Sequence, residues 1–378
     1  MLIDRLLEID NIYSLENEFF IQKNIKPTRL STWDCSREFL DLINKNIVIP
    51  SDIDFITYKY SYNIEKSIHN CILKKLGGNS NCRLIFMQNN TISIVNIVNF
   101  LKLNKKKNIA IVNPAYFSIR ECLNSFGLKP YEISANYENN HFSLPNTEEL
   151  LKYDVIWITS PFFSIGQYFD KKDILKIKTL INNGVLVIGD ESYASHGSEL
   201  IRNFSGHKNF ISIYSPHKSI CINGIKFSVV ITHKDFLDFF ETWEDVFAGN
   251  LLSSNVYAIY HYLSKNFELC ELTVKQYLST MRLHIVNILE KYPCIAYDKN
   301  TNGNLLSLFF PHISSSYMKS KSFLRQMIFQ TATSVIPGYL NGIDGSSGFN
   351  FRINLCLANK DYFYSLNRLL FYLCQKKY

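Results

Sequence analysis

The chain has 378 residues, of which 47% are hydrophobic and 19% charged, a composition typical of a folded globular protein rather than a disordered one. The formal net charge of +7 comes from lysines and arginines spread along the sequence, whereas nucleic-acid-binding proteins usually concentrate them. These features argue against a nucleic-acid-binding role, and the length suits one large domain or two ordinary ones.

The nine cysteines include no C-x-x-C pair. We therefore expect free thiols in a reducing, cytoplasmic compartment, and no metal site. The first ten residues carry four charges, which is unlike a secretory leader. No apolar run reaches the length of about 18 residues that predicts a membrane-spanning helix.

Short apolar runs alternate with amphipathic stretches through the first two thirds of the chain. The strands are predicted at 83–89, 108–114, 154–161, 185–190, 210–215 and 226–232, and two of the helices at 91–103 and 116–127. Continuous apolar strands separated by helices are typical of a mostly parallel, doubly wound sheet covered on both faces. We therefore predict an α/β fold with a large sheet domain over residues 46–245.

The last third of the chain has a different pattern. A long helix is predicted at 273–292, strands at 305–310, 333–337 and 351–358, and a closing helix at 361–375. This order predicts a smaller α+β domain over residues 246–378. We expect the N-terminal segment, residues 1–45, to pack on that small domain.

Polar side chains follow the predicted strands, at the edge where ligands bind in doubly wound sheets. They are Asn89, Asn90, Thr91, Tyr116, Ser160, Asp190, Tyr193, Ser215, His217 and Lys218. This set combines one amine, one carboxylate, aromatic rings and donors at the start of a helix. Catalysis with pyridoxal phosphate (PLP) uses these groups together.

Two motifs of the chain resemble those of the class I/II aminotransferases, a branch of the fold-type I PLP enzymes. In that family a strand ends in Asp-x-x-Tyr, upstream of a Ser-x-x-Lys. Here a predicted strand ends in Asp190-Glu191-Ser192-Tyr193, and Ser215-Pro216-His217-Lys218 follows. The resemblance runs from about residue 58 to the end and is nearest to histidinol-phosphate aminotransferase-like proteins. It implies the fold-type I architecture, PLP as cofactor and a homodimer.

The resemblance also implies a role for each matched residue. Lys218 matches the lysine that holds PLP as a Schiff base, and Asp190 the carboxylate that pairs with the pyridine nitrogen. Tyr193 matches the tyrosine that bonds the phenolic oxygen, and Tyr116 the aromatic ring stacked on the cofactor. Arg352, in a predicted strand after a Pro-Gly stretch, matches the arginine that binds the substrate α-carboxylate.

Further residues match the phosphate-binding groups of the family. Asn90 and Thr91 open a helix, whose free amides and dipole favour an anion. Ser215 matches a hydroxyl donor to the same phosphate. Tyr60, or its neighbour Tyr58, matches the tyrosine that reaches the phosphate of the partner subunit.

Two positions depart from the family pattern. The family's Asn-Pro-Thr-Gly turn reads Phe163-Ser164-Ile165-Gly166 here, so the asparagine that bonds the phenolic oxygen is replaced by Phe163. The phosphate-binding arginine is replaced by Lys226, which can pair with phosphate only as a point charge. Both departures bear on transamination more than on PLP binding.

Three functions are compatible with these residues. The first is an aminotransferase that converts an α-amino acid into a 2-oxo acid. The second is a PLP-dependent decarboxylase, cyclase, lyase or oxidase of a specialised pathway, which Phe163 keeps open. The third is a non-catalytic PLP-binding protein, against which the intact Lys218, Asp190, Tyr193 and Arg352 argue. The substrate side chain is expected to depend on loops such as the N-terminal segment around Trp33.

Overall fold

The structure is a computed structural model that describes residues 2–44, 56, 66–194, 199–219, 221, 224–247, 251–261, 267–301, 303–343 and 347–376. Tyr58 and Tyr60, and with them the predicted contact to a partner's phosphate, lie outside the described residues. Within this part of the chain, no helix has the length and apolar character needed to cross a membrane.

The helices are α1 (Leu2–Lys23), α2 (Arg37–Asn44), α3 (Lys66–Leu76), α4 (Asn90–Leu103), α5 (Phe117–Ser125), α6 (Thr147–Leu150), α7 (Lys171–Asn182), α8 (Glu199–Phe204), α9 (Pro216–Ser219), α10 (Leu237–Phe247), α11 (Ser253–His261), α12 (Phe267–Leu289), α13 (Lys321–Thr331) and α14 (Lys360–Cys374). Several start at a side chain that accepts a hydrogen bond from a backbone amide of the first turn. Asn89 accepts from the amide of Ile92 before α4, and Asn359 from that of Tyr362 before α14.

The strands are β1 (Thr28–Arg29), β2 (Cys82–Met87), β3 (Ile109–Asn113), β4 (Tyr131–Ser134), β5 (Asn136–Glu138), β6 (His141–Ser143), β7 (Val155–Thr159), β8 (Leu186–Asp190), β9 (Phe210–Tyr214), β10 (Ser228–His233), β11 (Leu305–Phe310), β12 (Thr333–Ser334), β13 (Ile336–Pro337) and β14 (Phe349–Asn354). Each of the six apolar runs predicted as a strand of the large sheet overlaps one of them, with bounds that differ by a few residues at most.

Among the described residues, seven strands form the large sheet in the order β2-β10-β9-β8-β7-β3-β4. β10 runs antiparallel to β2 and β9, and the other neighbours pair in parallel. Helices cover both faces, and side chains such as Trp157 in β7 are wholly buried. This confirms the predicted α/β class with a mostly parallel, doubly wound sheet.

The sequence did not predict β4, the edge strand of the large sheet. Its residues are mostly exposed, with only Ile133 packed against the core. A half-exposed edge strand lacks the continuous apolar run by which the buried strands were recognised. The same reason applies to the hairpin of β5 and β6, which lies outside the large sheet.

The C-terminal third contains a second, antiparallel sheet in the order β11-β14-β13. The run predicted as one strand at 333–337 is divided, since Thr333–Ser334 pair with β1 while Ile336–Pro337 pair with β14. The strand predicted at 351–358 spans 349–354. It stops at Asn354, whose side chain accepts from the amide of Cys356 and starts a single 3-10 turn.

The N-terminal segment contacts the C-terminal third. Glu16 on α1 accepts hydrogen bonds from Ser334 Oγ at 2.6 Å and from Arg29 Nε at 2.8 Å. Leu15, Phe19 and Leu30 belong to the same apolar core as β11, β14 and α14. The domain boundaries near residues 45 and 245 stay predictions, because residues 45–55 and 248–250 are not described.

Candidate active site

Two cavities that share Trp33 and Tyr116 open at the carboxyl ends of the central strands. The first, the large cavity, has a volume of about 500 Å³ and is lined by Trp33, Asn89, Asn90, Thr91, Ile92, Tyr116, Tyr193, His217, Lys218 and Lys226. The second, the small cavity, has a volume of about 280 Å³ and is lined by Ile9, Tyr13, Arg29, Thr32, Trp33, Asp34, Tyr116, Phe117, Phe163, Ile336, Leu340, Asn341 and Arg352. Most of the sequence-predicted site residues therefore line one of these two cavities, while Asp190 and Ser215 line neither.

Lys218 lies on α9, directly after β9, and its side chain lines the large cavity. Its Nζ lies 4.5 Å from the centre of the Tyr193 ring. Burial lowers the pKa of this amine to about 8, while the charge of Asp190 opposes that shift and the charge of Lys226 adds to it. At pH 7 about a tenth of the amine is therefore unprotonated, far more than for a lysine with the ordinary pKa.

Asp190, at the end of β8, is 3% exposed and provides the carboxylate near Lys218. Burial raises the pKa of Asp190, and the charge of Lys218 and hydrogen bonds from Ser192 lower it. The next residue, Glu191, faces elsewhere, since its carboxylate accepts from the backbone amides of Leu200 and Ile201 on α8. Of these two carboxylates, Asp190 is therefore the one whose charge raises the pKa of Lys218.

Asn90 connects three elements at the start of α4. Its Oδ1 accepts from Ser215 Oγ, and its Nδ2 donates to Ser192 Oγ. Ser215 is therefore buried behind Asn90 and does not line the large cavity. The lining consists instead of the first turn of α4, including the exposed Thr91, and the exposed Lys226.

Four aromatic rings, each of which lines at least one of the two cavities, contact one another. Trp33 stacks on Tyr193 with ring centres 5.2 Å apart. Phe163, which is 3% exposed, lies 5.7 Å from Tyr116, 6.2 Å from Trp33 and 6.3 Å from Tyr193. The sequence offered no signal for the stacking of Trp33, because this residue is far from Tyr193 along the chain.

Arg352 lies on β14 and is 2% exposed. Its Nε donates to Ser31 O at 3.3 Å, and its Nη1 donates to Ser164 Oγ at 3.1 Å and to Asn341 Oδ1 at 2.9 Å. Its Cζ lies 4.0 Å from the centre of the Trp33 ring. Within the described part of the chain it forms no ion pair with a carboxylate, and burial lowers its pKa to about 10.

The turn between β7 and α7 supports this arrangement. Gly166 has φ +79°, and a Cβ there would lie 2.4 Å from the carbonyl oxygen of Leu305 on β11. Only glycine fits this close approach and this backbone conformation. The turn thereby holds Ser164 against Arg352 and Phe163 against the aromatic rings.

His217 and Asn341 line the cavities; the sequence placed His217 at this edge without a role and did not indicate Asn341. His217 is 4% exposed, and burial lowers its pKa to about 4, so the imidazole is neutral near pH 7. Asn341 comes from the C-terminal third, and nothing in its local sequence distinguishes it from a loop asparagine. No described group of three or more His, Cys, Asp or Glu side chains converges as a metal site.

The lining of the large cavity fits a planar, phosphorylated, electron-accepting cofactor. The start of α4 and Lys226 offer amide and ammonium donors to a phosphate. Tyr116 offers a ring face and Lys218 an amine. Behind the lining, the buried Asp190 near Lys218 offers a carboxylate for a ring nitrogen. PLP requires these kinds of groups for its phosphate, its ring and its aldehyde.

Comparison with solved structures shows the same fold. A multiple substrate aminotransferase from Thermococcus profundus is 14% identical, with a TM-score of 0.77 over 96% of this chain and 94% of that chain. A kynurenine aminotransferase from Pyrococcus horikoshii is 12% identical, with a TM-score of 0.76 over 96% and 94%. A PLP-bound C-S lyase from Staphylococcus hominis is 15% identical, with a TM-score of 0.72 over 92% and 91%.

Among curated proteins, none matches the sequence significantly. The sequence model of the family "Aminotransferase class I and II" matches residues 59–369, most of the chain. This match confirms the resemblance drawn from the Asp190 and Lys218 motifs, while the histidinol-phosphate branch stays a prediction. The chain belongs to the aminotransferase class I and II family of PLP-dependent enzymes.

Proposed function

We propose that the protein is an aminotransferase that acts on an α-amino acid and holds PLP on Lys218. One observation carries the proposal: the half-buried Lys218 and the buried Arg352 each lie against one ring of the stacked pair of Trp33 and Tyr193. The Lys218 amine lies over Tyr193 in the large cavity, and the Arg352 guanidinium lies over Trp33 in the small cavity. The group proposed to hold the cofactor and the group proposed to bind the substrate carboxylate therefore lie at one aromatic cluster.

Bound PLP supplies an aldehyde carbon and a ring that accepts an electron pair. The residues of the chain do the remaining work. Lys218, with a pKa of about 8, can take the proton from the substrate Cα and return it near neutral pH. Asp190 holds a proton on the pyridine nitrogen, since a buried carboxylate is stabilised by a neighbouring cation.

The other predicted residues bind or position the cofactor in this proposal. The first turn of α4, with Asn90 and Thr91, binds the phosphate together with Lys226. Ser215 acts through Asn90, whose Oδ1 accepts its hydroxyl. Tyr193 donates to the phenolic oxygen, and Tyr116 with the other rings excludes water from the reacting carbon.

Arg352 is proposed to bind the substrate α-carboxylate. A buried guanidinium without a carboxylate partner is costly, and a bidentate ligand would satisfy it. Arg352→Ala should weaken the use of an amino acid at least tenfold, about 1.4 kcal/mol, while the visible absorbance of bound PLP persists. The decarboxylated amine of the same amino acid is the control. Equal slowing of both substrates, or a wild type that prefers the amine, would contradict this role.

The position of the cofactor has its own test. Borohydride reduction of the PLP-loaded protein should attach the cofactor to the peptide that contains Lys218, as detected by mass spectrometry. Lys218→Ala should lose this attachment. Attachment at another lysine would refute the assignment.

A second candidate keeps PLP and changes the reaction to a decarboxylation, cyclisation, elimination or oxidation. Phe163 favours this second candidate, because its apolar ring offers no hydrogen-bond donor at the position where the family has an asparagine. Product analysis with a panel of amino acids separates the two candidates. A 2-oxo acid with amination of the cofactor supports transamination, whereas carbon dioxide, ammonia or peroxide supports the alternative.

We also propose a homodimer in a cytoplasmic compartment. The nine cysteines are free thiols, which suits reducing conditions. The dimer would bring Tyr60 or Tyr58 of one subunit to the phosphate of the other. The proposed division of the chain is an N-terminal segment of residues 1–45, a PLP-binding domain of 46–245 and a small domain of 246–378.

A further inference from the structure

The small cavity contains an amide that the sequence did not assign to the site. Asn341 ends the 3-10 turn Gly338–Asn341 and is 3% exposed. The turn is held by hydrogen bonds from the amide of Gly342 to Tyr339 O and from that of Ile343 to Gly338 O. The Asn341 side chain thus stands in a defined place on the wall of the cavity, next to Arg352.

The orientation of this amide follows from its neighbour. Asn341 Oδ1 accepts from Arg352 Nη1 at 2.9 Å, and a guanidinium can only donate. The carbonyl end therefore faces Arg352, and the NH₂ end faces away from that bond. Nδ2 is buried and has no hydrogen-bond partner among the described residues. Buried amide donors are nearly always paired, so this one indicates a missing acceptor.

The surroundings define which acceptor fits. Asn341 and Arg352 line the same cavity, Asn341 Nδ2 has no partner among the described residues, and the hydrogen bonds of Arg352 use only its Nε and Nη1. Phe163, across from them with its ring centre 5.8 Å from Arg352 Cζ, cannot donate at all. A carboxylate is an acceptor with two oxygens, which can pair with a guanidinium and an amide at the same time.

We propose that Asn341 binds the substrate carboxylate jointly with Arg352. Its Nδ2 would donate to one carboxylate oxygen, and its Oδ1 orients the guanidinium. The inference rests on the proposed function, since it takes the small cavity as the place of the α-carboxylate. The side chain of the substrate would then extend along the apolar walls formed by Tyr116, Phe117 and Leu340.

The test measures binding and not turnover. Titration calorimetry of the PLP-loaded protein with 3-phenylpropanoate and with glutarate uses acids that have no amine and cannot react. For the acid that the wild type binds more tightly, Asn341→Ala should raise Kd about tenfold or more. Asn341→Asp should raise Kd further, because the new carboxylate pairs with Arg352 and repels the ligand. The visible absorbance of the cofactor should remain in both variants.

Asn99→Ala is the matched control. Asn99 is also a buried asparagine with an unpaired Nδ2, but it lies in the middle of α4 and does not line either cavity. This variant should leave Kd within about twofold of the wild type. Asn341→Asp is nearly isosteric, so it keeps the test valid if Asn341→Ala does not fold.

The outcomes separate this inference from the proposed function. If Arg352→Ala abolishes binding but both Asn341 variants behave like Asn99→Ala, the role of Asn341 is overturned and the carboxylate site stands. If Arg352→Ala also leaves Kd unchanged, or if the wild type binds neither acid, the carboxylate site falls and the inference with it.

Discussion

Lys218 has a property that can be measured before any substrate is known. Burial lowers the pKa of its amine from the ordinary 10.5 to about 8. Only the unprotonated amine attacks an aldehyde, so its reactive fraction rises as pH increases through the pKa. In the cofactor-free protein, the rate at which added PLP is attached should therefore rise with pH and reach half of its maximum near pH 8.

Stopped-flow absorbance between pH 6 and pH 11 measures this rate, with the sequence-matched peptide around Lys218 as the control. The peptide should show the pH dependence of an ordinary lysine. A protein midpoint close to that of the peptide would mean that the amine is not desolvated as the structure implies.

At the scale of elements, one buried carboxylate joins β8, β9 and α8 behind the site. Glu191 accepts from the amides of Leu200 and Ile201 at 3.1 Å each, and from Ser212 Oγ at 3.1 Å. Its position beside Asp190 means that the same contacts hold the end of β8 in place.

Glu191→Ala should lower the free energy of unfolding by at least about 2 kcal/mol, because it leaves buried donors without an acceptor. It should also weaken PLP binding through the displacement of Asp190. Urea denaturation followed by circular dichroism measures the first effect, and equilibrium dialysis of PLP the second. Glu199→Ala, an exposed glutamate at the start of α8, should change neither. Equal unfolding midpoints for the two variants would contradict the structural role of Glu191.

At the scale of the whole molecule, the exposed Lys226 lies on the large cavity. In the proposed dimer a tyrosine of the partner completes the phosphate site. We expect light scattering after gel filtration to give twice the chain mass of 44.0 kDa. A mass of one chain at micromolar concentration would contradict the dimer.

Tyr60 is the first of the two candidate tyrosines. The variant Tyr60→Phe should weaken PLP binding about tenfold or more, since it removes one charge-assisted hydrogen bond. Tyr58→Phe is the matched comparison. If the effect appears in Tyr58→Phe instead, the partner's phosphate ligand is Tyr58. If neither variant changes the affinity, the phosphate is bound within one chain.

The sequence alone was sufficient for the sheet and for the order of its chemical groups. Strands β2, β3, β7, β8, β9 and β10 are buried on both faces, so each appears as an apolar run. The polar residues after the parallel strands mark the edge where the cavity opens, whereas the antiparallel β10 ends at the opposite edge. The Asp190 and Lys218 motifs were recognisable because both are local patterns. β4 escaped recognition, since an edge strand is half exposed and has no such run.

Only the tertiary structure decided which distant side chains meet. Trp33 stacks on Tyr193, Asn341 accepts a hydrogen bond from Arg352, and Asn90 joins Ser215 to Ser192. Each of these contacts brings together residues from different elements. A sequence pattern reports whether a residue faces the core, but not which residue lies opposite, because that depends on how the elements pack. The buried amide of Asn341, which has no partner among the described residues, is therefore visible only in the folded molecule.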